Sequence, residues 1–265
     1  VTATATELNL IDGVTATTAE LNIMDGVTST AAELNLLDGV TSLASSVNGL
    51  SDGLVESNSV YIGNDPSGTT NTAEYNLAVG TTALDAVTDG DKNVGVGYNA
   101  LTSLNTGSWN TAVGAFAASS ITDGTDNIAF GQQALENLSG GSRNIAIGNL
   151  SLDGSAGSEN DNLAVGYAAL GGSNSGGNQN VAIGNYSLDA NTSGDYNIGM
   201  GYNALTANTT GLRNIAIGVG ALDAPDIEND NLAIGYDALG ASITAGGEYN
   251  VAIGNYTLDA LTSGE

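Results

Sequence analysis

Eleven times between residues 76 and 254 the chain sets two bulky, mostly apolar residues around one small residue, with Asn before the trio and Gly after it. Residues 144–148, Asn-Ile-Ala-Ile-Gly, are one copy. The frames begin at Asn76, Asn93, Asn110, Asn127, Asn144, Asn162, Asn180, Asn197, Asn214, Asn231 and Asn250, and a weaker copy begins at Ser59. Successive starts from Asn76 lie 17 residues apart seven times, 18 twice and 19 once. Alternation with period two is the signature of a strand. A fixed period of this size predicts stacked coils rather than a globular domain. After each frame an Ala-Leu-like pair predicts a second strand, which adds Leu84, Leu101, Leu135, Leu152, Leu170, Leu188, Leu205, Leu222, Leu239 and Leu258 to the bulky side. The fold class expected is all-β, a parallel β-helix or β-roll of twelve coils over residues 58–265.

Each strand therefore has two unlike faces. Pairs such as Ile145/Ile147 share one; Ala78, Gly95, Ala112, Ala129, Ala146, Ala164, Ala182, Gly199, Ala216, Ala233 and Ala252 share the other with Asn and Gly. The expectation is that the aliphatic residues fill the chain's own core and that the small face lets a sister chain approach closely. Self-coiling is expected over three intertwined chains, because the Leu recurs in ten of eleven copies. A 17-residue coil burying about three aliphatic side chains barely offsets its backbone entropy of about 1–2 kcal/mol per residue, which favours assembly with further copies. The eleven Asn residues are expected to form a structural ladder along the stack, as in stacked Asn arrays.

Residues 1–39 follow another period. Three 13-residue copies, such as "VTSTAAELNLLDG", pair Thr4 with Glu7, Thr17 with Glu20 and Thr30 with Glu33 at capping-box spacing. Gly13, Gly26 and Gly39 stand where a short helical turn would end. Residues 40–57 read as a degenerate copy and junction.

Composition narrows the function. There are 38 Gly but only 2 Phe and 1 Trp, which suits a thin, extended core. The net charge is -26, with Lys92, Arg143 and Arg213 the only basic residues, so nucleic acid is not an expected partner. With no Cys and no His, thiol and imidazole chemistry are excluded. No apolar stretch approaches a bilayer-spanning length, so membrane insertion is not expected. The chain begins and stops inside repeats, and it reads as a segment of a longer polypeptide.

Acidic corners, "DGDKN" at 89–93, "DGTDN" at 123–127 and "ENDN" at 159–162 and 228–231, offer oxygen ligands for Ca²⁺. Turn chemistry explains the same residues without an ion. The residue before each frame varies widely, which reads as a solvent-facing corner; Tyr75, Trp109, Tyr196 and Tyr249 there offer faces for stacking on sugars. No acid pair stands apart in a cleft, as a polysaccharide-cleaving enzyme would need. Neither catalytic residues, metal ligands nor a cofactor are expected.

The recurrent Asn-h-Ala-h-Gly-x-x-Ala/Ser motif (h, apolar) resembles the coils of YadA-like trimeric autotransporter adhesin heads. The 13-residue "TAAELNLLDGVT" units resemble those of bacteriophage tail fibres, notably of phages infecting marine cyanobacteria. The resemblance implies a parallel homotrimer in an attachment apparatus. The longer coil favours a virion tail-fibre shaft joined to other fibre or tail proteins, with a host-cell receptor bound through regions outside the segment. The alternative it implies is the head of a bacterial surface adhesin.

Overall fold

The computed structural model describes residues 53–63, 70–154, 157–172, 177–224, 227–240 and 247–260, all within the unit Ala44–Glu265. The 13-residue repeats and their expected helical turns lie outside these residues, as does most of the junction.

The described part is all-β, a parallel solenoid. Thirteen strands form one sheet in chain order: β1 (Gly53–Glu56), β2 (Ser59–Ile62), β3 (Leu77–Val79), β4 (Val94–Val96), β5 (Thr111–Val113), β6 (Ile128–Phe130), β7 (Ile145–Ile147), β8 (Leu163–Val165), β9 (Val181–Ile183), β10 (Ile198–Met200), β11 (Ile215–Ile217), β12 (Leu232–Ile234) and β13 (Val251–Ile253). From β2 onward every pairing is parallel and joins one repeat to the next, so the chain coils on itself. Register never slips: Ala129 pairs Ala146, which pairs Ala164. The sheet begins earlier than the expected boundary at 58. β1 pairs antiparallel with β2 across Ser57 and Asn58, whose φ values of 44° and 61° make the tight hairpin turn that matches strand twist.

The two faces of the sheet are the reverse of the sequence expectation. Ala78, Ala112, Ala129, Ala146, Ala164, Ala182, Ala216, Ala233 and Ala252 are buried in the chain's own core, as are Gly95 and Gly199. They form no interchain face. The flanking aliphatic residues point outward. The cause is the width of the coil. Across the interior each strand centre meets the leucine of the turn segment: a β-carbon on Gly95 would lie 3.3 Å from Leu84 Cγ and 3.3 Å from the Ala100 carbonyl. That leaves room for one large column opposite one small column, and two branched side chains per strand would overfill it. Gly199 shows the limit, since a β-carbon there would meet Ser187 Oγ at 2.5 Å.

The Ala-Leu segment is a turn, not a second strand. Leu84, Leu101 and Leu135 sit at φ 54°, 53° and 55°, in the left-handed region, and so do the other leucines of the column. This conformation costs about 1–2 kcal/mol for a non-glycine residue. It aims the side chain into the core, where Leu84, Leu101, Leu135, Leu152, Leu170, Leu188 and Leu205 are fully buried. The turn still joins the coils, because Leu84 N–H donates to the Ala100 carbonyl (3.0 Å) and Leu101 N–H to Ala117 (3.0 Å). The glycine that ends each strand is obligatory for two reasons. Gly80 has φ 132°, and a β-carbon on it would stand 2.6 Å from the Gly97 carbonyl oxygen of the following coil.

Candidate functional site

The eleven ladder asparagines are buried at the entry to each strand. Each side-chain oxygen accepts from the backbone N–H of the next asparagine in the column: Asn93 N–H to Asn76 Oδ1 at 2.8 Å, Asn110 to Asn93 at 2.9 Å, Asn144 to Asn127 at 3.0 Å, and Asn250 to Asn231 at 3.0 Å. From Asn76 to Asn214 the amide nitrogen donates to the corner carbonyl of the next coil, as from Asn76 to Gly90 (2.8 Å) and from Asn197 to Gly211 (2.7 Å), whereas Asn231 Nδ2 is buried without a partner. Ser59 supplies the first rung, its Oγ accepting from Asn76 N–H at 2.9 Å. The ladder runs mainly from side chain to backbone. It satisfies buried main-chain groups that the three-residue strands leave unpaired, and its role is structural.

The corner column before each ladder asparagine is largely exposed and includes three stacked pairs. Arg143 Nε and Nη2 donate to Asp161 Oδ1 and Oδ2 at 2.6 and 2.9 Å, and Arg213 holds Asp230 in the same bidentate way. These contacts hold Asp161 and Asp230 below the ordinary carboxylate range. Lys92 Nζ lies 4.1 Å above the Trp109 ring centroid, so that face of Trp109 is occupied. Tyr75, Tyr196 and Tyr249 are more than half exposed.

Several oxygens of the acidic corners are used within the fold. Asp89 Oδ1 accepts from Asn71 Nδ2 (2.8 Å) and Thr72 Oγ1 (2.9 Å), and Asp91 Oδ1 accepts from Glu74 N–H (2.8 Å). In the first "ENDN", Asn160 Oδ1 accepts from Ser142 N–H, Asp161 binds Arg143 and Asn162 belongs to the ladder. The second "ENDN" repeats this with Leu212, Arg213 and Asn214. Among the described residues no three acidic side chains converge as metal ligands.

A second acidic column follows the buried leucines. Burial pushes Asp153 up to about 6, aided by Glu136 and Asp189. Burial also raises Asp189, and burial together with Asp237 raises Asp223. An open depression of about 310 Å³ is lined by Asp223, Asp237, Gly240, Tyr256 and Asp259.

The surface that stands out is the outer face of the sheet. Two outward positions on each of β3–β13 are apolar throughout, except at Thr111. Ile128 and Ile147 are 41 % exposed and Phe130 55 %. Eleven parallel strands at about 4.8 Å spacing extend this stripe over about 50 Å. It exposes on the order of 1,000 Å², beyond the roughly 300–600 Å² of the largest apolar patch on an ordinary monomer. After seven of these eleven strands the chain places an aromatic residue, and Tyr167, Tyr186 and Tyr202 pack edge to face at centroid distances of 5.5 and 6.0 Å. Sequence alternation revealed this apolar face but assigned it to the core.

Comparison with known proteins yields no match: no family model, curated protein or solved structure corresponds to the chain. Among the described residues no helix is long and apolar enough to cross a membrane.

Proposed function

We propose that the chain is a structural shaft segment of a trimeric viral tail fibre that mediates host-cell attachment, and that its copies pack in parallel through the outward aliphatic stripe. The apolar stripe along a solenoid, interrupted only at Thr111 among the outward positions of β3–β13, carries this reading. Its area exceeds the about 800 Å² per partner of a standard stable interface, and its aromatic border matches the composition of interface surfaces. A second copy of the chain is the natural occupant, because it offers an apolar strip of the same length and spacing. Such a stripe faces the fibre axis, and the acidic corners face water, where charge keeps a long particle soluble. The coil motif and the 13-residue units, which resemble those of adhesin heads and phage fibres, support the same reading. The role is mechanical rather than enzymatic. Other fibre proteins and a host receptor are partners of regions beyond the shaft. The exposed tyrosines of the corner column favour the second reading, an adhesin head that itself touches a cell surface.

Sedimentation of the whole chain tests the assembly. The expected mass is three times the 26.2 kDa chain. An Ile147→Asp/Ile217→Asp variant, altered only on the outer face, is expected to sediment as a monomer and to keep its β-type circular dichroism. A stable monomer for the unaltered chain overturns the proposal.

A further inference from the structure

Glu159 breaks a rule of the solenoid. Three residues before the ladder asparagine, the inward corner is glycine in the adjoining coils, at Gly124, Gly141, Gly177 and Gly194, and at Gly124, Gly141 and Gly194 the next coil's backbone would crowd a β-carbon. Only the two "ENDN" corners place a glutamate there. Glu159 is 1 % exposed, and neither carboxylate oxygen has a hydrogen-bond partner. The N–H groups of Gly157 and of Glu159 itself lie near and offset part of the burial, without forming an aligned bond. Glu228 differs, since its Oε2 accepts from Ile227 N–H at 3.0 Å. The coil before Glu159 presents Leu138 and Gly141, and the coil after presents Gly177; the cation of this corner, Arg143, is held by Asp161. On the same coil, Asp153 faces Glu136 from the preceding coil and Asp189 from beyond Gly171, with no cation in that column.

We infer that the described ends of the coil between β7 and β8, residues 149–154 and 157–162, form a pH-sensitive joint of the shaft, closed while Asp153 and Glu159 are protonated and opening locally, ahead of the adjoining coils, as they ionise. The sign follows from the burial of the two groups. Burial raises both in the folded coil, so their stabilisation is complete below the ordinary values of 3.8 for Asp and 4.5 for Glu. For Asp153 it is lost as pH rises through about 6. The joint belongs to one coil and does not depend on how copies assemble.

Hydrogen exchange of the whole chain at pH 5 and pH 8, corrected for intrinsic exchange, tests it. Residues 149–162 are compared with the reference coil 98–110. Protection of 149–162 is expected to fall roughly tenfold or more beyond that of the reference, because each tenfold difference in a carboxyl's proton affinity between closed and open coil changes the opening equilibrium about tenfold once the group ionises. D153N and E159G are each expected to reduce this excess, and the double variant to abolish it. E159G restores the residue of the adjoining coils, so it is expected to fold and to gain protection at pH 8. Equal pH dependence in the two segments, an excess that survives the double variant, or global loss of protection in E159G would each overturn the inference.

Discussion

Four early coils of the solenoid close one corner with hydrocarbon, and two later coils close the same corner with an amide. Six residues before the ladder asparagine stand Val87, Leu104, Ile121 and Leu138, all fully buried. The same place holds Asn191 and Asn208, at 1 % and 0 % exposure. Both kinds of side chain lie over the corner glycine: a β-carbon on Gly107 would meet Leu104 Cδ1 at 2.7 Å, and one on Gly194 would meet Asn191 Oδ1 at 2.6 Å. The corner therefore requires filled volume, and either chemistry suffices if polar groups are satisfied. Asn191 meets that condition by accepting from Gly194 N–H (3.1 Å) and from Asn208 Nδ2 (3.2 Å). Asn208 Oδ1 finds no partner. Burying a leucine stabilises by about 1.5–3 kcal/mol, whereas each hydrogen bond nets about 0.5–1.5 kcal/mol. The aliphatic section is accordingly the firmer one, and the Glu159 corner lies between the two.

The largest expected effect comes from emptying an aliphatic corner. Leu138→Ala removes a buried side chain from a site that backbone hydrogen bonds prevent from collapsing. It should lower stability by about 2–5 kcal/mol, read as an earlier urea midpoint. A loss below about 1 kcal/mol would mean that the hydrocarbon column does not support the corner.

Asn191→Leu is next in size. It leaves Gly194 N–H without its acceptor and Asn208 Nδ2 with the Gly211 carbonyl alone, and it should cost about 1–3 kcal/mol. The comparison sharpens when Asn208→Leu is added. The double variant removes both amides together and extends the early column into the late coils. It should regain most of that loss, and the double-mutant cycle should show coupling between the two sites. Strict additivity would mean that the two amides do not act as a unit.

Whole-chain stability should also fall as pH rises out of mild acid. As pH rises through about 6, Asp153 loses the stabilisation that protonation supplies in the fold. Thermal melts from about pH 5 to about pH 9 check it; a midpoint that does not fall across that range would contradict the assignment. The smallest effect belongs to the surface. Arg143→Ala should leave the melting temperature unchanged within error at moderate salt, because an exposed pair gains little over its hydration.

The period, the strands and their partners were legible along the chain. Asn-Ile-Ala-Ile-Gly announces a short strand, and its recurrence at 17 residues makes coil-on-coil pairing without slip the consistent arrangement. The asparagine column was legible as structural for the same reason, although its main-chain partners were not. The turn at Ala-Leu was not legible, since leucine rarely adopts a left-handed φ and nothing local demands it. Glu159 gave no hint of burial, because "ENDN" reads as an exposed acidic corner until the neighbouring coils cover it.

The sequence by itself determined that each strand has a bulky face and a small one, since alternation follows from backbone geometry alone. Only the tertiary structure decided which face is enclosed. That choice depends on how tightly a 17-residue coil closes, and closure is set by the left-handed leucines and by the glycines that let adjoining backbones touch. An interior that narrow admits alanine opposite leucine, so the isoleucines are left outside, where another chain can cover them.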